Sequence, residues 1–228
     1  MTSDISATLL DAALMHVPFD GWSETTFRAA VADTGTDPTV ARALFPRGAV
    51  DLALAYHRNG DAAMVERLRN TDLATLRYSE RVALAVRYRL EVVEDKEAVR
   101  RGTTLFSLPI YAADGAKAIW GTADAIWTAL GDTSEDVNWY TKRASLSAVY
   151  SSTVLFWLGD DSPGQTATWD FLDRRIDDVM RFEKAKGQMR KMPGLGLLMK
   201  GADQMLSGIH APRKPAAPDL PGQWHIPS

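Results

Sequence analysis

Apolar residues return every three or four positions along almost the whole chain, and no segment alternates Val, Ile and Thr as a half-buried strand does. That period restricts the fold class to all-α. Helices are expected over residues 5–16 and 24–33, from 38 to a close at the "FPRG" of 45–48, and over 49–69, 73–94, 97–106, 113–130, 138–158 and 166–186. The first carries Ile5, Leu9, Ala12, Ala13 and His16 on one face and stops at Pro18, because proline cannot continue a helix. Ser23 caps the second, and Gly35 marks the turn after it. Asp37 caps the third, with Pro38 at its first position, where the missing N–H costs nothing. Gly60 is a point at which the long fourth helix can be interrupted, and Asn138 the expected cap of the eighth. The organisation is read as a helix-turn-helix-like head (1–56), a helical body (57–191), an amphipathic helix (192–210) and a disordered, proline-rich tail (211–228).

With 46% hydrophobic and 24% charged residues, the 228-residue chain has the composition of a soluble globular protein. It has no cysteine, so disulfides, thiolate metal sites and cysteine nucleophiles are all excluded. The four histidines (His16, His57, His210, His225) are scattered, and none lies three residues after a glutamate, as a di-iron bundle requires. No metalloprotease, nucleophile-elbow or phosphate-loop motif occurs. Asp173, Asp177 and Asp178 share one side of a helix, but Arg174, Arg175 and Arg181 interleave them, which points to surface ion pairs. His16 reads as a structural histidine. No catalytic or metal site is predicted.

Charge is uneven. Residues 181–214 hold eight bases against two acids, which leaves the rest of the chain at −9 within a net charge of −3. The acidic N-terminus has neither the cationic start of a signal peptide nor the arginines of a transit peptide, so a bacterial cytoplasm, peripheral on the inner membrane, is the expected location.

The segment "TFRAAVADTGTDPTVARALFPRGAVDLALAYH", 26–57, resembles the head of TetR-type regulators, with Ala30, Gly35, Val40, Phe45, Pro46 and Leu52 at its packing positions. A DNA reader needs cations for phosphates and polar side chains for base edges. Residues 1–57 carry three arginines and no lysine against seven acids. The head is therefore expected to have given up nucleic acid, and a working TetR-type regulator sensing an apolar ligand is the alternative.

In the body, Ile119, Trp120, Ala123, Ile126, Trp127 and Leu130 fall on one helical stripe, and small neighbours such as Gly121 leave space beside it. With Phe156 of the next helix, they are the candidate lipid-binding residues. The segment "NWYTKRASLSAVYSSTVLFWLGDDSPGQTATWDFLDRRIDDVMRFEK", 138–184, with "RYRLE" at 87–91, closely resembles the lipid-binding accessory proteins of ubiquinone (coenzyme Q) biosynthesis. The resemblance implies a TetR-like, usually dimeric protein without cofactor or catalysis. It implies that an isoprenoid or quinone lipid is bound in an apolar cavity and presented to the di-iron demethoxyubiquinone hydroxylase. The family's partner patch maps to Trp139, Tyr140, Lys142 and Arg143, with Tyr140 the more exposed and Trp139 shared between core and partner.

At the C-terminal end, Leu195, Leu198, Met199, Ala202, Met205, Leu206 and Ile209 form an apolar stripe between Arg190/Lys191 and Arg213/Lys214. An apolar face with cationic flanks suits the boundary of an anionic bilayer. These are the candidate membrane-binding residues.

Overall fold

A computed structural model describes residues 2–189 and 211–212, and every regular element among them is helical. The helices are α1 (Thr2–Asp20), α2 (Glu24–Thr34), α3 (Pro38–Leu44), α4 (Ala49–Arg69), α5 (Tyr78–Glu91), α6 (Lys96–Ser107), α7 (Ala112–Ala129), α8 (Val137–Leu158) and α9 (Thr166–Met189). A single 3-10 turn, Pro163–Gln165, joins the last two. The all-α expectation holds. The stripe at residues 195–209, Arg190, Lys191, Arg213, Lys214, and the tail from residue 213 onward lie outside the described residues.

Local chemistry sets most boundaries. Ser23 accepts from the Thr26 N–H, and Asp37 accepts from Thr39 and Val40, each satisfying first-turn donors that have no partner inside the helix. Gly35 ends α2 in the left-handed region, at φ 61°, where a Cβ is disfavoured.

Four expectations are corrected. First, α1 runs through Pro18 to Asp20. The Gly21 N–H still closes onto the Val17 carbonyl, and Arg101 donates to the Pro18 carbonyl, so the last turn keeps partners. Second, α5 begins at Tyr78 and not near residue 73, because the Glu80 carboxylate reaches back 2.7 Å to the Arg77 N–H and fixes the start there. Third, Asp136 and not Asn138 caps α8, its carboxylate accepting from the Asn138 N–H at 2.9 Å where the helix dipole favours a negative charge. Fourth, α4 does not break at Gly60. The glycine is there for closeness: a Cβ at residue 60 would stand 2.6 Å from an Arg89 guanidinium nitrogen.

Two apolar clusters hold the molecule. The head cluster gathers Leu9, Ala13, Val17, Trp22, Phe27, Ala30, Ala41, Phe45 and Leu52. Val40, expected among its packing positions, is exposed. The body cluster gathers Met64, Leu68, Val86, Leu90, Ile126, Leu146, Tyr150, Trp157, Leu172 and others from α4, α5, α7, α8 and α9. Helix α4 belongs to both, giving Ala49, Leu52 and Ala53 to the first and Met64 and Leu68 to the second.

Candidate functional site

Midway along α4, between the two clusters, lies a cavity of about 410 Å3. This is within the roughly 300–1,000 Å3 of small-molecule sites. Tyr56 and His57 of α4, Arg89 and Leu90 of α5, and Tyr150 of α8 form one wall. Trp22, held by a bond from its indole N–H to the Ala98 carbonyl at 3.0 Å, packs against Tyr56 and lines the head side. Small residues at the start of α7, Ala112, Gly115, Ala116 and Ala118, leave the space unfilled. Leu155 lines the cavity and is also 60% exposed, so it stands at the rim.

The wall is largely apolar; the hydroxyls of Thr103, Ser107 and Ser151 line it too, each donating to a nearby backbone carbonyl, and one charged network crosses it. Arg89, only 4% exposed, donates from Nε to Asp61 at 2.6 Å and from Nη2 to the His57 carbonyl at 3.0 Å. Thr122, fully buried, donates to the same Asp61 oxygen at 2.9 Å. His57 Nε2 lies 2.8 Å from the Thr122 hydroxyl and 3.2 Å from the Ala118 carbonyl. Removal from water pushes the His57 imidazole down to about 4, against the pull of the Asp61 charge, so the ring is neutral near pH 7. Burial likewise raises the Tyr150 phenol.

A second feature lies on α7 and α8. Trp120, Trp139 and Tyr140 form an aromatic cluster, with ring centroids 5.9 Å apart for Trp120 and Trp139, 6.4 Å for Trp120 and Tyr140, and 4.8 Å for Trp139 and Tyr140. All three are half-buried. Leu146, Tyr150 and Trp157 continue inward along α8 as buried core residues.

The cations beside this cluster turn inward. Arg143 is 3% exposed, donates to Asp124 at 2.6 Å and Asp132 at 3.1 Å, and lies 4.0 Å over the Trp139 ring. The expectation that Arg143 faces a partner is thereby corrected: its guanidinium holds Trp139 in place from beneath. Lys142 pairs with Asp132 at 2.7 Å. Burial raises the Asp132 carboxyl, but hydrogen bonds from Lys142, Ser134 and Arg143 outweigh it and hold the group down at about 2.

Of the predicted lipid-binding stripe, Ile119 alone lines the cavity. Ala123 and Ile126 are fully buried core, Trp127 packs against Tyr78 at 5.6 Å, and Leu130 packs against the body cluster. Trp120 belongs to the aromatic cluster, and Phe156 stacks on Phe171 at 4.5 Å. The stripe was one apolar face, but only the helix's small-residue start borders open space. Sequence reasoning missed Trp22, Tyr56, Arg89 and Tyr150, and treated His57 as merely scattered. Arg89 sits inside "RYRLE", and Asp61 stands four residues after His57 around Gly60, which were the signals available. Of the three neighbouring aspartates on α9, Asp178 pairs with Arg175 at 2.8 Å, the expected surface ion pair.

In the head, Arg42 pairs with Glu24 at 2.6 Å, Arg28 with the same carboxylate at 3.3 Å, and Arg47 with Asp51 and Asp114, each at 2.8 Å. His16 meets Asp33 at 2.6 Å, joining α1 to α2 in the structural role expected of it.

Comparison with known proteins adds the following. Residues 112–183, which form much of the cavity's α7 and α8 wall and all of the aromatic cluster, match the COQ9 family. The chain is 34% identical over 195 residues to the ubiquinone biosynthesis protein COQ9, mitochondrial, of Drosophila melanogaster, covering 82% of this chain and 59% of that protein. It is 28% identical over 191 residues to human COQ9, covering 80% and 59% of the two chains. With the probable ubiquinone biosynthesis protein coq9 of Dictyostelium discoideum it is 28% identical over 203 residues, covering 85% and 66%. The chain thus spans about three fifths of the length of these curated relatives. Among solved structures, a TetR transcriptional regulator from Nitrosomonas europaea superposes with a TM-score of 0.63 at 17% identity, over 76% of this chain and 97% of that one. This shows the TetR-like fold. The expected bacterial cytoplasm is overturned, because these COQ9 relatives are named as mitochondrial proteins.

Proposed function

From a chain homologous to the COQ9 proteins, we propose a non-enzymatic accessory part in ubiquinone biosynthesis: the cavity binds an isoprenoid or quinone intermediate, and the protein presents it to the di-iron demethoxyubiquinone hydroxylase. The observation that carries this reading is the largely apolar space of about 410 Å3, walled in good part by the COQ9-matched segment. Lipids extracted from the purified protein and identified by mass spectrometry test it. Recovered quinones or prenylated phenols support it, and phospholipid alone would sink it.

The hydroxylase docks, in this proposal, on Trp139, Tyr140, Lys142 and the neighbouring Trp120, with Arg143 as support. Large aromatics in a half-desolvated cluster are the usual anchors of an interface. Tyr140→Ala is expected to weaken hydroxylase binding about tenfold or more while shifting the melting temperature little, since the ring is half-buried. A large loss of stability with unchanged binding would reassign Tyr140 to the core.

The amphipathic stretch with Leu195, Leu198, Met199, Ala202, Met205, Leu206 and Ile209 is proposed to bring the protein onto an anionic membrane. Removing residues 193–228 should abolish sedimentation with anionic liposomes and leave the helical content of the body intact. A homodimer is proposed on the α8–α9 side, where Phe156, Met180 and Phe182 are exposed. Light scattering that gives a monomer mass at micromolar concentration would remove it.

The TetR-type regulator reading is disfavoured by the ion pairs that already occupy Arg28, Arg42 and Arg47. A specific band in a mobility-shift assay at moderate salt would restore it.

A further inference from the structure

The ion pairs of the cavity wall make a prediction about which lipids enter. We propose that the cavity takes its occupant head first and selects a head group that hydrogen-bonds but carries no charge, with His57 and Tyr56 as the residues that read it. This rests on the cavity reading above and narrows it.

Arg89 is the one side chain of the lining with a permanent charge, and its Nε is bound at 2.6 Å to Asp61, a carboxylate whose side chain is 14% exposed against 5% for Arg89. Its Nη2 is bound to the His57 carbonyl. No Asp, Glu or Lys is among the lining residues. The wall is therefore neutral in sum. Gly60 makes this arrangement permanent, since only its missing side chain lets the guanidinium lie against α4.

The protons of the network can be placed from its acceptors. A carbonyl oxygen only accepts, so the 3.2 Å contact between His57 Nε2 and the Ala118 carbonyl requires the hydrogen to be on Nε2. With Nε2 protonated in a neutral ring, Nδ1 is an acceptor. Tyr56 adds a phenolic hydroxyl, donor and acceptor at once. The remaining lining is mainly apolar, with Leu90, Val93, Val99, Val154 and the exposed Leu155, and its other hydroxyls, Thr103, Ser107 and Ser151, each donate to a nearby backbone carbonyl. A hydroxyl or carbonyl head thus has partners in His57 and Tyr56, and an apolar tail has the aliphatic lining that includes the exposed Leu155.

An ionised head meets a different situation. A carboxylate or phosphate here would lose its hydration and find no free cation, because Asp61 already compensates Arg89, and an unpaired buried charge is strongly disfavoured. Fatty acids and prenyl phosphates share the tail chemistry of the proposed ligand, so this discrimination has a use.

The test is calorimetric titration of the delipidated full chain at pH 7.5 with three probes of equal tail length: decylubiquinone, decyl phosphate and decanoate. Decylubiquinone is expected to bind at least about tenfold more tightly than either anion. Equal or tighter binding of an anion overturns the head-group selection and leaves the cavity reading standing. If no probe binds, the cavity reading falls and the selection with it. His57→Leu is expected to reduce decylubiquinone affinity about tenfold without changing the affinity for dodecane, and an unchanged decylubiquinone affinity overturns the role given to His57. Asp61→Asn exposes the Arg89 charge and should raise decyl phosphate affinity about tenfold. If that variant does not fold, His57→Leu and the three-probe comparison decide.

Discussion

Arg143→Ala leaves Asp132, a carboxylate of which 2% is exposed, with Lys142 and the Ser134 hydroxyl as its remaining partners, and removes the surface on which the Trp139 ring rests. Removing one partner of a buried ion pair is costly, and a loss of about 3 kcal/mol is expected in urea unfolding. Arg143→Lys should recover part of it, because an ammonium restores charge but cannot bridge two carboxylates with a planar fork. His57 makes a prediction about pH. Its folded pKa of about 4 lies below the ordinary 6.5, so the unfolded chain binds the extra proton first. Stability is then full above about pH 6.5 and falls as pH drops toward 4, by up to about 3 kcal/mol from this group. Unfolding free energies at pH 7 and pH 5 measure the slope, and His57→Gln should flatten it.

At the scale of the helix, two glycines give opposite expectations. Gly60→Ala drives a methyl into the Arg89 guanidinium and should destabilise by about 1–3 kcal/mol. Gly121→Ala in α7 meets nothing within 4 Å and should stabilise by up to about 1 kcal/mol, by lowering the freedom of the unfolded chain. Thermal melts of the two variants give the comparison. Nothing in the sequence distinguishes these glycines, since each stands inside a regular helical period. The same limit explains what was legible and what was not. Ser23, Gly35 and Asp37 act within a few residues of themselves, and the boundaries they set were readable. The period of α7 identifies its apolar face, but the layer that each turn of that face meets depends on α4, α5 and α8. Tryptophans at Trp120 and Trp127 fill their own surroundings, whereas open volume belongs to the turns that carry Ala and Gly. Arg89 and Asp61 are 28 residues apart, and no local pattern joins them.

For the molecule as a whole, the sequence resemblance located the COQ9 segment and the TetR-like order of helices. The cavity was placed too far along α7. The head keeps the packing of a DNA reader while its arginines are tied to acids of the head and of α7. High salt should loosen these exposed pairs without loss of fold, because each contributes roughly 1 kcal/mol or less. Circular dichroism in 1 M salt checks this, and a large loss of helicity there would show that the head depends on its ion pairs.

Helix α4 spans 21 residues, about 31 Å, without a break, and the cavity opens on its midpoint. A rod shared by two cores makes them melt as one: neither end can fray far before the other loses packing. Occupancy of the cavity is then a load felt along the rod. Backbone amides of α1 and α2, which touch no ligand, should exchange with deuterium more slowly once the cavity is filled, so that the silent head becomes a gauge of whether the body is carrying cargo.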